Sequence, residues 1–265
     1  MTAESGRFGD LALRLGSGLA IAGAGLAAVW YGGPAFSAIV ALLAGLMVWE
    51  LAAMVTDSAP PGRAQIVTGA AATLVVILSG ALGGGAVASL AGALVVGALV
   101  AAGARAHRTP AMLYAPLIVL AADWLIAFRA DAGPVWTLWL VLVVVATDIA
   151  GYFAGRIIGG PRFWPQVSPK KTWSGTVAGW LAAGAVGLAV APFLPDAPSR
   201  WSLIAASAGL SLASQMGDIV ESAIKRRVGV KDASGLLPGH GGVLDRFDGL
   251  VGAALVVGLV RLAGG

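Results

Sequence analysis

The densest group of reactive side chains lies between Ser222 and Asp248, a stretch of 27 residues. Within it, four cations fall within seven positions, namely Lys225, Arg226, Arg227 and Lys231. Clustered ammonium and guanidinium groups suit a polyphosphate, because they form charge-assisted hydrogen bonds to phosphate oxygens. The turn Pro-Gly-His-Gly-Gly at 238–242 follows, and its glycines allow the backbone to approach a ligand closely. Such a basic cluster can instead set the membrane topology or bind anionic lipid. The combination of the basic cluster with the glycine-rich turn favours a site for a phosphorylated ligand.

Acidic residues flank this basic stretch at helical spacing. Asp245 and Asp248 lie one turn apart at the predicted start of the last helix, so both carboxylates project to one side. Asp218 and Glu221 share one stripe of the preceding predicted helix with Lys225. Carboxylates beside a basic loop are typical of a magnesium site next to its phosphates. A salt bridge to Lys225 remains the alternative role for Glu221, so Asp218 is the stronger candidate ligand.

A third polar group lies at the end of an apolar segment and in the loop that follows it. Asp148 falls about two turns inside the cytoplasmic end of that segment, and carboxylates within a membrane are costly and usually functional. The loop contains residues that could bind phosphate or ribose, namely Ser168, Lys170, Lys171 and Thr172. A capped helix start, with Trp173 as an interfacial anchor, is the structural alternative for this loop.

These polar groups belong to a chain that is otherwise strongly apolar. Of its 265 residues, 58% are hydrophobic and only 11% are charged, whereas a soluble domain has about 25% charged residues. A helix that spans the hydrocarbon core needs about 20 apolar residues. Nine segments qualify: 12–31, 35–55, 65–82, 86–103, 111–128, 134–154, 175–194, 201–223 and 247–263. The sequence therefore predicts an all-α polytopic membrane protein with about nine transmembrane helices.

The predicted protein is a single integral membrane domain over residues 1–265, with N-terminal helices in 1–130 and a catalytic half in 131–265. The first segment is longer than the core of a usual signal peptide, so we expect it to be retained. The chain has no cysteine, which excludes disulfides, thiolate catalysis and cysteine-ligated zinc. Only two histidines are present, which argues against a histidine-rich metal site.

Lysine and arginine predict the orientation of the helices. With the N-terminus in the cytoplasm, 14 of the 17 basic residues fall on the cytoplasmic side, and only Arg129, Arg200 and Arg261 fall on the other. This split follows the positive-inside rule. The two longest polar loops, 155–174 and 224–246, are then both cytoplasmic, and we expect them to form the site. The net charge of +4 is explained by topology and does not require a nucleic-acid partner.

On these residues the chain resembles the phosphatidate cytidylyltransferase (CDP-diglyceride synthetase) family. Residues 222–248 are similar to that family's signature at every fixed position, including the Lys-Arg pair, the His-Gly-Gly turn and the closing Asp-Arg-x-Asp. The stretches Asp148–Tyr152 and Ser168–Gly175 also look like the family's, although Ser174 stands where the family commonly has Glu or Gln. The resemblance covers roughly the C-terminal half of the chain, and the N-terminal half is similar in hydropathy alone.

The resemblance implies a magnesium-dependent nucleotidyltransferase of phospholipid biosynthesis, which converts CTP and phosphatidate to CDP-diacylglycerol and pyrophosphate. It implies Asp218, Asp245 and Asp248 as the metal ligands, and it leaves a second, monovalent cation open. The other implied catalytic residues are Lys225, Arg226, Lys231, Asp232 and Arg246. The implied substrate-binding residues are Asp148, Ser168, Lys170, Lys171, Thr172, Ser222, His240 and Gly241.

Other functions share parts of this pattern. CTP-dependent lipid or polyprenol kinases have a similar terminal region, but the fuller signature favours the transferase. CDP-alcohol phosphotransferases open their motif with a similar Asp-x-x-Asp-Gly, but no acidic residue follows Asp248 here. A transporter would explain intramembrane carboxylates, but its site usually lies at the bilayer midplane between repeats, and this sequence has no detectable repeat.

The expected partners follow from the same interpretation. They are CTP, phosphatidate and the lipid bilayer, with no nucleic acid. The glycine-rich helices and the family likeness also favour a homodimer. The short, alanine- and glycine-rich chain is typical of a bacterial inner (plasma) membrane protein, and its site is expected to face the cytoplasm.

Overall fold

The computed structural model describes residues 18, 22–56, 62–82, 85–105, 107–237, 239 and 241–264. In this part of the chain, helices dominate and one short hairpin interrupts them. The helices are α1 (Ala22–Tyr31), α2 (Gly33–Thr56), α3 (Arg63–Ala81), α4 (Gly85–Gly103), α5 (Arg108–Ile157), α6 (Trp173–Val190), α7 (Arg200–Val228) and α8 (Leu244–Gly264). The strands are β1 (Arg162–Trp164) and β2 (Ser168–Thr172).

Seven of the described helices, α2 to α8, are long and apolar enough to cross a membrane. A helix satisfies its own backbone hydrogen bonds, which is the condition for crossing a layer that contains no water. The prediction of a helical, multi-pass membrane protein is therefore confirmed. The predicted count of nine is not established by these seven helices, since the segment 12–31 lies partly outside the described residues and 111–154 forms one element.

That element, α5, contains 50 residues and is broken at Gly133. The backbone of Gly133 has φ 85° and ψ −177°, a conformation that favours glycine. Pro134 follows and lacks the N–H that a continuous helix would use. The segments on either side, 108–132 and 134–157, each have the length of one membrane span. The break falls in the interval that separates the predicted spans 111–128 and 134–154.

The hairpin is a departure from the all-α prediction. Strands β1 and β2 pair antiparallel, with Arg162 opposite Thr172 and Trp164 opposite Ser168. The polar loop that precedes α6 thereby acquires a fixed shape. Because successive side chains of a strand point to opposite faces, Lys170 is exposed while Lys171 points toward α7.

Helix α5 is the centre of the bundle and packs against α2, α4, α6 and α8. Helix α7 packs against α6 and α8 on the other side. The buried core along these helices consists mostly of alanine, valine and leucine. Small residues let membrane helices approach closely, and helices α5 and α7 of this packed bundle both contact strand β2 of the hairpin.

Candidate active site

Three carboxylates converge where α7 and α8 meet. They are Asp218, Glu221 and Asp248, and we call them the carboxylate cluster. One carboxylate oxygen from each lies within 4.8 Å of those from the other two. The spacing of Asp218 and Glu221 on α7 puts them on one face, and Asp248 approaches from the second turn of α8. Such a group of oxygen atoms could hold a metal ion.

Glycines bring the two helices to this distance. A Cβ atom on Gly217 would overlap the carbonyl oxygen of Asp248, and one on Gly252 would overlap the carbonyl oxygen of Ala213. Any larger residue at these positions would push α8 away from α7. The contact therefore sets the separation between Asp218, which follows Gly217 in sequence, and Asp248.

Lys225 joins the cluster to Asp245. Its Nζ lies 2.6 Å from Oε2 of Glu221 and 2.6 Å from Oδ1 of Asp245. The salt bridge that remained an alternative role for Glu221 is therefore present. Glu221 is only 1% exposed, and its Oε1 has no hydrogen-bond partner among the described residues. One oxygen of Glu221 thus pairs with a lysine while the other remains available inside the cluster.

Asp245, predicted as a metal ligand, lies outside the three-carboxylate group. Its Oδ1 pairs with Lys225, while its Oδ2 accepts hydrogen bonds from the N–H groups of Ala233 at 2.9 Å and Gly242 at 2.7 Å. These bonds fasten the α7–α8 loop, described at residues 229–237, 239 and 241–243, to the start of α8. Gly241, with φ 86°, supplies the left-handed backbone that this turn requires. The metal-binding role of Asp245 stays a prediction.

The hairpin reaches the same cluster through Lys171. Its Nζ lies 2.5 Å from Oδ2 of Asp218 and donates to the carbonyl of Gln215 at 3.3 Å. Ser222 donates to the other oxygen of Asp218 at 3.2 Å. Asp148 on α5 interacts electrostatically with both Asp218 and Lys171. Polar residues of α5, of the hairpin and of α7, which are far apart in sequence, are therefore brought to one site.

The formal charges of the site favour a divalent cation. Five carboxylates, Asp148, Asp218, Glu221, Asp245 and Asp248, face three cations, Lys171, Lys225 and Arg246. When all are ionised, two negative charges remain uncompensated. Uncompensated charge is expensive in a poorly hydrated site. Magnesium carries the balancing charge and prefers oxygen ligands, so the residues present fit this ion.

The remaining predicted phosphate-binding cations lie at the rim. Arg226 in the last turn of α7, Lys231 in the α7–α8 loop and Arg246 in the first turn of α8 all have exposed side chains. Asp232 and Lys170 are also exposed. Because Arg226 and Arg246 adjoin Lys225 and Asp245 in sequence, these exposed cations could bind an anionic substrate near the carboxylate cluster.

Some predicted substrate contacts have another structural role or cannot be placed. Thr172 is buried and caps α6, since its Oγ1 accepts a hydrogen bond from the N–H of Gly175 at 3.2 Å. The capped helix start proposed as an alternative is therefore present. Ser168 is half-buried at the start of β2. His240 lies outside the described residues. Direct contact of these residues with substrate stays a prediction.

Sequence reasoning missed Glu50, which lies near the end of α2. It is fully buried, and its two oxygens accept bonds from the N–H groups of Val243 at 2.9 Å and Leu244 at 2.7 Å. Its Oε1 also accepts from the hydroxyl of Ser234 at 2.5 Å. The first N–H groups of a helix lack partners within the helix, and a carboxylate there also complements the helix dipole. One signal in the sequence could have identified this residue. Glu50 is the only charged residue of α2 and lies inside a predicted membrane span, where a charge is usually functional.

Comparison with known proteins adds an independent finding. A family model described as "Cytidylyltransferase family" matches residues 12–262. A protein of Brucella suis biovar 1 (strain 1330), named phosphatidate cytidylyltransferase, is 54% identical over 119 residues, or 45% of this chain and 44% of that protein. A protein of the same name from Staphylococcus haemolyticus (strain JCSC1435) is 42% identical over 122 residues, or 46% of each chain. The chain therefore aligns with slightly less than half the length of these curated relatives.

Proposed function

Because the chain belongs to the cytidylyltransferase family, we propose that it is a phosphatidate cytidylyltransferase of phospholipid biosynthesis. The substrates are CTP and phosphatidate, and the products are CDP-diacylglycerol and pyrophosphate. The observation that carries the proposal is the carboxylate cluster of Asp218, Glu221 and Asp248, with exposed cations beside it at the ends of membrane helices. The names of the relatives support the choice of substrates.

The reaction is a nucleophilic substitution at phosphorus. A phosphate oxygen of phosphatidate attacks the α-phosphorus of CTP, the bond from that phosphorus to the oxygen bridging to the β-phosphate breaks, and pyrophosphate leaves. Positioning and charge neutralisation account for most of the catalysis in such reactions. We assign the exposed Arg226, Lys231 and Arg246 to the phosphates of the two substrates. Lys171 and Lys225 instead hold carboxylates through ion pairs.

Magnesium is the proposed cofactor, and it would supply charge neutralisation at the phosphates when bound. Asp218 and Asp248 are its proposed ligands, in line with both the family likeness and the cluster geometry. The cluster geometry favours Glu221 as the third carboxylate, whereas the family likeness favours Asp245. A metal titration of variants at these two positions separates the alternatives.

The proposed topology has nine spans and a cytoplasmic N-terminus. The two segments of α5 on either side of Gly133 count as separate spans, and the predicted first span at 12–31 includes α1. The hairpin and the α7–α8 loop then face the cytoplasm, where CTP is dissolved, while phosphatidate keeps its acyl chains in the bilayer. We propose the bacterial inner membrane as the location, since the similar proteins are bacterial. A homodimer remains our expectation from the glycine-rich helices.

The direct test uses the full chain purified in detergent with CTP, magnesium and phosphatidate. We expect CDP-diacylglycerol and pyrophosphate to form in equal amounts, and Asp248→Asn to prevent both. A CTP-dependent kinase would instead release CDP and transfer a phosphate to a lipid or polyprenol alcohol. Folded protein that forms neither CDP-diacylglycerol nor pyrophosphate would refute the proposed function.

A further inference from the structure

An apolar groove runs along the outer surface of α2 and α3 and ends at the α7–α8 loop. Its volume is about 610 Å³, within the range of about 300–1,000 Å³ that is usual for small-molecule sites. Representative lining residues are Leu42 and Trp49 of α2, Ile66, Ala70 and Ile77 of α3, and Leu236 of the loop. We call this feature the α2–α3 groove.

The base of the groove is formed by a close contact between the two helices. A Cβ atom on Gly45 would overlap Oγ1 of Thr73 and lie 2.8 Å from the carbonyl oxygen of Gly69. Small residues at this crossing hold the backbones together. Larger side chains on either side of the crossing, such as Leu42 and Ile77, form the walls. The groove is therefore a built concavity between two packed helices.

The groove ends at the same loop that contacts the candidate active site. Trp49 lines the groove, while its neighbour Glu50 binds Ser234 of the α7–α8 loop and the start of α8. Two residues after Ser234, Leu236 closes the end of the groove. Leu236 is an apolar residue in a polar loop, and 43% of its surface is exposed. One short segment of the loop thus contacts Glu50, which binds the start of α8, through Ser234, and lines the α2–α3 groove through Leu236.

The length of the groove fits an extended hydrocarbon chain. From Ile66 to Ile77 it follows twelve residues of α3, whose ends are about 16 Å apart at the helical rise of about 1.5 Å per residue. This is about half of the roughly 30 Å hydrocarbon thickness, the depth of one leaflet.

We propose that the α2–α3 groove binds an acyl chain of the lipid substrate, with the lipid phosphate held at the α7–α8 loop where the groove ends. This inference rests on the proposed function and adds an acyl-chain site within the N-terminal half. The groove supplies apolar walls along one leaflet, and the α7–α8 loop sits at the point where tail and headgroup meet. An acyl chain bound in the groove would thus hold the lipid phosphate at the α7–α8 loop, which contains Lys231 and is flanked by Arg226 and Arg246.

A bulky residue inside the groove tests this assignment. Ala70 is exposed and lines the groove, so Ala70→Trp fills part of it. Ala64 is also exposed on α3 but does not line the groove, so Ala64→Trp is the matched control. Both variants are assayed for KM with dioleoyl-phosphatidate, with the short-chain dihexanoyl-phosphatidate, and with CTP. Ala70→Leu serves as a milder variant if the tryptophan prevents folding.

We expect Ala70→Trp to raise KM for dioleoyl-phosphatidate about tenfold, the effect of losing the burial of about two methylene groups. KM for dihexanoyl-phosphatidate and for CTP should stay at the wild-type value, and Ala64→Trp should change none of the three. If wild-type protein is active and Ala70→Trp and Ala64→Trp have the same KM for the long-chain lipid, the groove is not the acyl-chain site.

A binding measurement separates this inference from the proposed activity. Phosphatidate with a photoreactive acyl chain is cross-linked to the full-length protein in phosphatidylcholine vesicles. The modified residues are then mapped by mass spectrometry. We expect cross-links between Ile66 and Ile77 that excess phosphatidate removes and excess phosphatidylcholine does not. Their absence refutes the acyl-chain site whether or not the protein turns over CTP. Their presence without turnover supports the site and refutes the proposed function alone.

Discussion

Glu50 of α2 accepts a 2.7 Å hydrogen bond from the backbone N–H of Leu244, the first residue of α8, across 194 positions of sequence. The same carboxylate binds the N–H of Val243. Helix α8 carries Asp245 and Asp248, so its N-terminus must be held for these side chains to be aimed correctly. The N-terminal half of the chain is therefore part of the structure that positions the site.

Glu50→Gln should reduce turnover by about 10- to 100-fold. Glutamine keeps the shape but has one acceptor oxygen, and its amide group would place a donor against an N–H group of α8. Loss of a hydrogen bond to a charged group costs about 1.5–3 kcal/mol, which corresponds to this range of rates. The measurements are kcat, the magnesium concentration for half-maximal activity, and thermal unfolding in detergent.

Ser234→Ala is the matched control for this variant, because it removes only one of the three bonds to Glu50. We expect a reduction in kcat of less than tenfold. A purely structural role would lower the unfolding temperature of Glu50→Gln without changing the magnesium requirement. Unchanged kcat and magnesium requirement in Glu50→Gln would contradict a positioning role.

Gly217→Ala should separate α7 from α8 and disrupt the carboxylate cluster. Its new Cβ would overlap the carbonyl oxygen of Asp248, and forcing an extra carbon into a packed contact costs about 1–3 kcal/mol. We expect lower activity together with a lower unfolding temperature. Gly209→Ala on the same helix is the control, because no atom lies within 4 Å of its Cβ position. Equal behaviour of the two variants would show that the close contact is not needed.

Metal titration should identify the third carboxylate ligand. If Glu221 binds magnesium, Glu221→Gln raises the magnesium concentration needed for half-maximal activity more than Asp245→Asn does. Asp245→Asn would then lower kcat mainly, because it releases Lys225 and loosens the α7–α8 loop. The opposite ranking would establish Asp245 as the ligand. Activity that a chelator does not abolish would remove magnesium from the proposal.

The orientation can be tested with single cysteines, since the chain has none of its own. Lys170 in β2 and Asp196 between α6 and α7 are both exposed. In intact cells, a membrane-impermeant maleimide should label Asp196→Cys, which faces the periplasm in the proposed topology. It should label Lys170→Cys only after the cells are opened. The reverse pattern would invert the topology and place the site outside the cytoplasm.

Local features of the sequence account for much of this structure. Apolar segments of membrane length predicted α2 to α4 and α6 to α8, and they predicted two separate spans where α5 is broken at Gly133. The spacing of Asp218, Glu221 and Lys225 placed them on one helical face, as the Glu221–Lys225 salt bridge shows. These predictions succeed because hydropathy and helical periodicity depend on residues that are close in sequence.

The sequence by itself determined that this is a multi-pass helical membrane protein, and that nine of its 17 basic residues lie in two polar loops. Only the tertiary structure decided that Glu50 caps α8, that Lys171 pairs with Asp218, and that Asp245 is tied to Lys225 and the loop. The physical reason is that these contacts join separate elements. Which residues meet depends on close helix packing at glycines such as Gly217 and on the shape of the hairpin. Local periodicity in the sequence encodes neither of these.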